Sequence, residues 1–269
     1  MTLEVAGGWF GYPGKSDILH NVDFTLPAGR LLAVLGPNGV GKTTLLKCTL
    51  GLLSWRHGAT LLDGRDIRSL RAAERWQRFA YVPQARNAQA LSLTGLDMVT
   101  IGRASRIGAF AQPGPADSEI ARRTMREIGI RHLESVPCGQ MSGGQLQMVL
   151  IARAMAGEPE VLVLDEPETG LDFRNQLIVL DLLDELVHQR GLTVVMNTHY
   201  PAHALRIADQ VLLLAAEDVP QHGPADTVLT PETLGRVFGV SLEIVDAHVD
   251  GVRHRAVLPL SALDPPQRG

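Results

Sequence analysis

Several things are scarce in this chain of 269 residues, and each shortage narrows what it can be. There are two cysteines, Cys48 and Cys138, too few for a disulfide framework or a zinc site and in keeping with a reducing compartment. No apolar run reaches the roughly 18 to 20 residues that a membrane-spanning helix needs, and MTLEVAGGWFGY has no basic region followed by an apolar core. A soluble, unexported protein is therefore expected. Lys and Arg total 25 against 29 Asp and Glu, a formal net charge of −4. No large basic excess is present to neutralise nucleic-acid phosphates, although a local basic patch is not excluded. Aromatic residues make up only 4% of the chain, yet Trp9, Phe10 and Tyr12 fall together. Internal repeats and low-complexity blocks are also missing. With 45% apolar and 20% charged residues, the chain can bury a sizeable core as one large or two modest domains.

What is present is organised around LLAVLGPNGVGKTTLL, Leu31 to Leu46. An apolar run, Leu31 to Leu35, breaks at Gly36, passes Pro37, Asn38, Gly39 and Val40, and meets Gly41, Lys42 and Thr43 before a leucine-rich helical pattern. Strand, glycine loop and helix in this order bind nucleotide phosphates, because the glycines let the backbone curl with its N–H groups inward at a helix N-terminus. Lys42 adds a mobile positive charge for the β- and γ-phosphates and Thr43 a hydroxyl for Mg²⁺.

Ahead of this loop, Leu3 to Val5 and Asn21 to Leu26 read as strands separated by the turn-rich YPGKSD. The aromatic trio between them offers either a flat face for a nucleobase or a small satellite core under the first strands. After the loop, Thr60 to Leu62 and Phe79 to Val82 read as short strands, the first turned by Asp63 and Gly64. Ala85 to Gln140 holds little strand pattern; Thr94 with Asp97 forms a capping-box signature, and Ile120, Thr124 and Ile128 share a helical face. This predicts a helical insertion, with Gly102 to Pro115 as a loop inside it.

Ser142, Gly143, Gly144 and Gln145 precede a helix over Leu146 to Ala156 and make a second glycine-lined helix start. Val161 to Leu164 has the continuous apolar character of a doubly buried parallel strand. It ends in Asp165 and Glu166, two carboxylates too costly to bury unpaired and better explained as facing a cation and its water. A helix over Phe173 to Gln189 follows. Next comes a strand, Thr193 to Asn197, with Thr198 and His199 at the carboxyl end where open α/β sheets bind ligands. Val211 to Leu214 predicts another strand, Thr230 and Pro231 open a helix, and Leu242 to Leu260 suggests a hairpin around Asp250 and Gly251. The terminal DPPQRG is expected to fray.

Taken together and in this order, these motifs resemble the ATP-binding subunit of an ABC transporter. GPNGVGKT matches its Walker A, Tyr81 to Gln84 its Q-loop, MSGGQ (Met141 to Gln145) its signature, VLVLDE its Walker B, Gly170 to Asp172 its D-loop and His199 its switch histidine. Met141 stands where leucine is usual, an apolar swap of similar volume, and Glu168 where a small polar residue is common.

The resemblance implies an α/β fold: a P-loop NTPase (RecA-like) core with an N-terminal antiparallel β subdomain and an inserted α-helical subdomain. It implies a cassette over 1–240, divided at 1–85, 86–156 and 157–240, and a hairpin and tail over 241–269. Gly36, Pro37, Asn38, Gly39, Val40, Gly41, Lys42, Thr43 and Thr44 would bind ATP, with Tyr12 stacked on adenine. Thr43, Gln84 and Asp165 would hold Mg²⁺, Glu166 would act as general base, and His199 would contact the γ-phosphate. Met141, Ser142, Gly143, Gly144 and Gln145, with Asp172, would serve ATP bound to a second copy in a head-to-tail homodimer. The implied partners are two integral-membrane permease subunits and, through them, a substrate-binding protein, with no nucleic acid and a peripheral place on the cytoplasmic face of the membrane.

Met98, Gly102, Arg103 and the order SGGQLQMVLIARA look most like the uptake branch for metal chelates (iron siderophores, haem, cobalamin), with a molybdate or tungstate subgroup beside it. Competing readings are an exporter ATPase, a soluble ABC-type ATPase acting on nucleic acid or ribosomes, and a regulatory module without turnover. No long coiled coil or second cassette supports the soluble ATPase, and Asp165 with Glu166 argues against the regulatory module.

Overall fold

The computed structural model describes residues 1–84, 92–107, 112–215 and 219–263. Expectations for 85–91, for 108–111 within the Gly102 to Pro115 stretch and for the terminal DPPQRG lie outside the described residues. The chain divides into two compact units, Met1–Asp66 with Asn197–Gly269, and Ile67–Met196.

The first unit opens with β1 (Thr2–Phe10) and β2 (Leu19–Pro27), antiparallel with Leu3 opposite Leu26 and Val5 opposite Phe24. β2 buries Leu19, Val22, Phe24 and Leu26, the alternation of a sheet with one covered face. β1 runs well beyond the predicted Leu3 to Val5. Gly7, at φ 55, carries it through a register shift, and the strand resumes as far as Phe10. β3 (Leu31–Leu35) is buried along its whole length and leads through the glycine loop into α1 (Lys42–Thr49). β4 (His57–Leu62) pairs with the other edge of β1 and turns into β5 (Arg65–Asp66). Asp63 and Gly64 make that turn at φ 54 and 74, the positive values a tight two-residue hairpin requires.

The second unit contains α2 (Ala72–Arg78), β6 (Phe79–Val82), α3 (Gly95–Ile101), α4 (Ala104–Ile107), α5 (Pro115–Glu127), α6 (Gly143–Ala156), β7 (Val161–Asp165), α7 (Phe173–His188) and β8 (Thr193–Asn197). β6 and β7 are parallel, Tyr81 opposite Val163, and every residue of β7 and β8 is buried. α3 starts on the predicted capping box. Thr94 Oγ1 accepts from the Asp97 N–H at 3.2 Å, and the Asp97 carboxylate accepts from the Thr94 N–H at 3.0 Å, a device that contributes about 1 kcal/mol.

α4 lies in the stretch read as loop. Its own Arg106 donates to the carbonyls of Gln77, Gly157 and Glu158, so tertiary contacts rather than local pattern hold the turn. α5 buries Ala121, Thr124 and Met125, with Ile128 just beyond, while Ile120 is half-buried. The covered face is therefore turned slightly from the one the spacing predicts.

Back in the first unit come α8 (Pro201–Ile207), β9 (Gln210–Leu213), β10 (Gln221–Pro224), α9 (Ala225–Val228), α10 (Pro231–Phe238), β11 (Val240–Val249) and β12 (Val252–Ala262). β9 runs parallel to β3, Leu35 opposite Leu213, and β10 lies antiparallel on β9. β11 and β12 form a hairpin whose turn is Asp250 and Gly251. The class is α/β, with an antiparallel β sheet at the start and a helical insertion, as the sequence implies. No described helix is long and apolar enough to cross a membrane.

Candidate active site

In the first unit, β3 delivers the chain to Gly36, whose hypothetical Cβ would stand 2.5 Å from the Leu214 carbonyl oxygen. Only glycine fits where the loop passes the end of β9. Gly39 and Gly41 adopt φ 83 and 107, values that cost other residues strain. Gly41 caps α1 without a side chain, which leaves the helix's first N–H groups facing the loop. Lys42 is buried, and its ammonium donates to the carbonyls of Gly36 at 2.8 Å and Pro37 at 3.1 Å. The cation thus lies across the loop that Pro37 to Val40 form.

The aromatic trio separates by role. Phe10 is in the core, Trp9 packs edge-on against His20, and Tyr12 is 39% exposed. Tyr12 meets Phe10 at right angles, and its hydroxyl lies 3.3 Å from Thr44 Oγ1 in α1. The stretch carrying Tyr12 is clamped by Arg56, whose guanidinium donates to Asp17 Oδ1 and to the carbonyls of Tyr12 and Lys15. Sequence reading missed Arg56, and no spacing signals it. Also in this unit, the Thr198 N–H donates to the Val34 carbonyl at 3.0 Å. That bond sets His199 beside the end of β3, two residues before Gly36, with its ring against Tyr200 at 4.1 Å.

The second unit holds the carboxylates. β7 ends at Asp165, which is 6% exposed, and Glu166 turns out of the strand at φ 50, a conformation that costs a non-glycine residue on the order of 1–3 kcal/mol and clusters at functional sites. Gln84, two residues past β6, donates from Nε2 to Glu166 Oε2 at 2.9 Å, and Thr169 donates to the same oxygen at 3.3 Å. Tyr81 donates its hydroxyl to Asp165 Oδ2 at 3.3 Å. Burial, then the nearby Asp165 charge and its hydrogen bond, push the Tyr81 phenol well above its ordinary pKa, so it stays a donor. The parallel pairing of β6 with β7 brings Gln84, Asp165 and Glu166 together.

The signature residues form a second cluster in this unit. Ser142 caps α6 in a box with Gln145, Oγ accepting from the Gln145 N–H at 3.3 Å and Gln145 Oε1 from the Ser142 N–H at 3.0 Å. Met141 is buried beneath it. Asp172 caps α7 and holds Asn175 by both its backbone and side-chain N–H groups. Asn175 in turn abuts Gly144, where a Cβ would fall 2.4 Å from the Asn175 carboxamide carbon. Sequence reading missed Asn175; its only signal is the third helical position after a capping aspartate. Glu168 is fully buried, with the Leu171 N–H on its carbonyl.

Residues 19–169 match the family model described as ABC transporter. The chain is 34% identical to the iron(3+)-hydroxamate import ATP-binding protein FhuC of Bacillus subtilis over 91% of this chain and 90% of that one. It is 36% identical to the molybdate import ATP-binding protein MolC of Haemophilus influenzae over 88% of each. Among solved structures, one assigned to a metal-chelate type ABC transporter in an inward-facing conformation superposes with a TM-score of 0.86 at 33% identity, covering 96% of this chain and 97% of that one.

Proposed function

The chain belongs to the ABC transporter ATP-binding family, and on that premise we propose that two copies of it power a membrane importer whose cargo is a metal chelate or a molybdate-like oxyanion. ATP with Mg²⁺ is its substrate, and ATP hydrolysis is its activity. The observation that carries the reading is Glu166, held out of β7 at a strained φ by Gln84 and standing next to Asp165.

The residues fit the nucleotide and the metal. The loop at Gly36 leaves no room for a Cβ, Lys42 brings a buried cation to it, and the hydroxyl, amide and carboxylate oxygens of Thr43, Gln84 and Asp165 suit a hard cation. Those three would hold Mg²⁺, which when bound neutralises charge on the phosphates. Glu166 takes the proton of a water as its oxygen attacks the γ-phosphorus. The bond to the β,γ-bridging oxygen breaks, and ADP and inorganic phosphate result. Lys42 follows the β- and γ-phosphates, His199 contacts the γ-phosphate, and Tyr12 stacks on adenine. Ser142, Gly143 and Gly144, backed by Asn175 and Asp172, close over ATP held by the other copy. The site then excludes bulk water only when two chains meet.

The pair of chains sits peripherally on the cytoplasmic face of the membrane, bound to permease subunits that receive cargo from a substrate-binding protein. The relatives named for iron(3+)-hydroxamate and molybdate support the cargo class. Purification of a tagged Glu166→Gln chain with ATP from membranes of its source cell tests this. Recovery of a polytopic permease is expected; recovery of DNA, ribosomes or no membrane protein would overturn the transport reading and favour the soluble ATPase.

A further inference from the structure

His199 stands on a short connection whose two ends are fixed within the first unit. On the β3 side, the Thr198 N–H donates to the Val34 carbonyl at 3.0 Å, and Thr198 Oγ1 accepts from the Tyr200 N–H at 3.1 Å. On the other side, Ala204 and Ile207 of α8 are buried. The backbone around His199 is thereby held, but its ring is not. The torsion that turns an imidazole about its Cβ–Cγ bond is broad, with no sharp staggered wells, so a neighbour against the ring face is needed to select its plane.

Tyr200 is that neighbour, and it breaks a local rule to be there. It is the N-cap of α8, a position that favours Ser, Thr, Asp and Asn because their side-chain oxygen accepts from the first turn; here no side chain caps the helix, and Pro201 opens it instead. His203 holds the third helical position, where Glu or Gln would complete a capping box. Both side chains are given over to a stack of rings. Tyr200 lies 4.1 Å from the His199 ring at 37° on one side and 4.7 Å from the His203 ring at 44° on the other. Among the described residues the Tyr200 hydroxyl makes no hydrogen bond, so the ring is the part in use. A cap forgone without a compensating bond is expected where a functional site needs the residue.

We propose that Tyr200, backed by His203, is a positioning residue for His199: the stacked rings fix the plane of the His199 imidazole, and with it the direction in which its ring nitrogen meets the γ-phosphate. This rests on the reading of His199 as the γ-phosphate contact and adds the two residues that set its ring. Tyr200 touches neither nucleotide nor metal and acts only through its neighbour. ADP has no γ-phosphate for His199 to meet, so the stack matters to turnover of ATP and not to the binding of ADP.

The test compares variants of the full chain by phosphate release at saturating ATP and by equilibrium binding of ADP. Tyr200→Leu, which removes the ring, is expected to lower turnover by about 10- to 100-fold, the loss for a misplaced group, with ADP affinity within about twofold of wild type. Tyr200→Phe keeps the ring and is expected to turn over within about twofold of wild type. In a chain that already carries His199→Ala, Tyr200→Leu is expected to cost nothing further, since a residue that acts through His199 has nothing left to position. Wild-type turnover with Tyr200→Leu, an equal loss with Tyr200→Phe, or the full loss again on top of His199→Ala overturns the proposal. If His199→Ala leaves no turnover to compare, the Leu and Phe variants decide. If melting shows that Tyr200→Leu does not fold, His203→Ala decides: reduced turnover with unchanged ADP affinity supports the proposal and undiminished turnover overturns it. Wild-type turnover with His199→Ala alone overturns the γ-phosphate reading and this proposal with it, in an arm separate from the Tyr200 variants.

Discussion

Glu166→Gln is expected to lower ATP turnover by about 10²- to 10⁴-fold, the range for loss of a positioned general base, while the chain still binds ATP. The substitution keeps the shape of the side chain and removes its basicity. Gln84 and Thr169 both donate to Glu166 Oε2, and a glutamine oxygen can accept the same two bonds, so the strained turn after β7 should persist. Asp165 and the phosphate loop are left as they are. The measurement is phosphate release under saturating ATP beside equilibrium binding of the nucleotide. Turnover within about threefold of wild type would remove Glu166 from the role of base and leave the strain at φ 50 without a catalytic purpose.

A mixture of two inactive variants, Lys42→Ala and Ser142→Arg, is expected to regain roughly a quarter of wild-type turnover if the sites are shared across a symmetric pair of chains. Lys42→Ala removes the buried cation of the loop but leaves its own signature intact. Ser142→Arg does the reverse, placing a long side chain at the exposed start of α6. In a mixed dimer, one site then combines an unaltered loop with an unaltered signature. The loss of the Ser142 cap costs about 1 kcal/mol, which a melting curve on the variant alone will register without loss of the fold. If the mixture stays as inactive as its components while still exchanging subunits, Ser142 does not act on the other copy's ATP.

Much of this was legible in the sequence because the decisive features are local. The glycines at 36, 39 and 41 stand out since the backbone there needs conformations or clearances that other residues deny it. β3, β7 and β8 stand out since strands covered on both faces have no polar alternation to confuse the reading. The capping box at Thr94 is a local pattern and falls where it was expected, whereas Ser142 to Gln145, read as a glycine-lined helix start, turns out to close a second such box. What was hidden depends on tertiary contact. α2 has no fully buried residue and so no apolar period to find, and α4 is held by Arg106 reaching distant carbonyls. The extension of β1 past Val5 needed the bulge at Gly7, which reads as a break. Arg56, Asn175 and the Tyr81 bond to Asp165 join residues remote in sequence or unremarked by any motif, and only the folded chain brings them together.

Transport is tested most directly by uptake into vesicles that hold the purified complex of this chain and its permease, with ATP supplied on the side of the chain and, on the other, the substrate-binding protein with radiolabelled ferric hydroxamate or molybdate. The expected result is accumulation that requires ATP and Mg²⁺, and that Glu166→Gln abolishes while the complex stays assembled. Accumulation at the wild-type rate with Glu166→Gln, or ATP hydrolysis by the intact complex with no movement of any metal chelate or oxyanion, would contradict it.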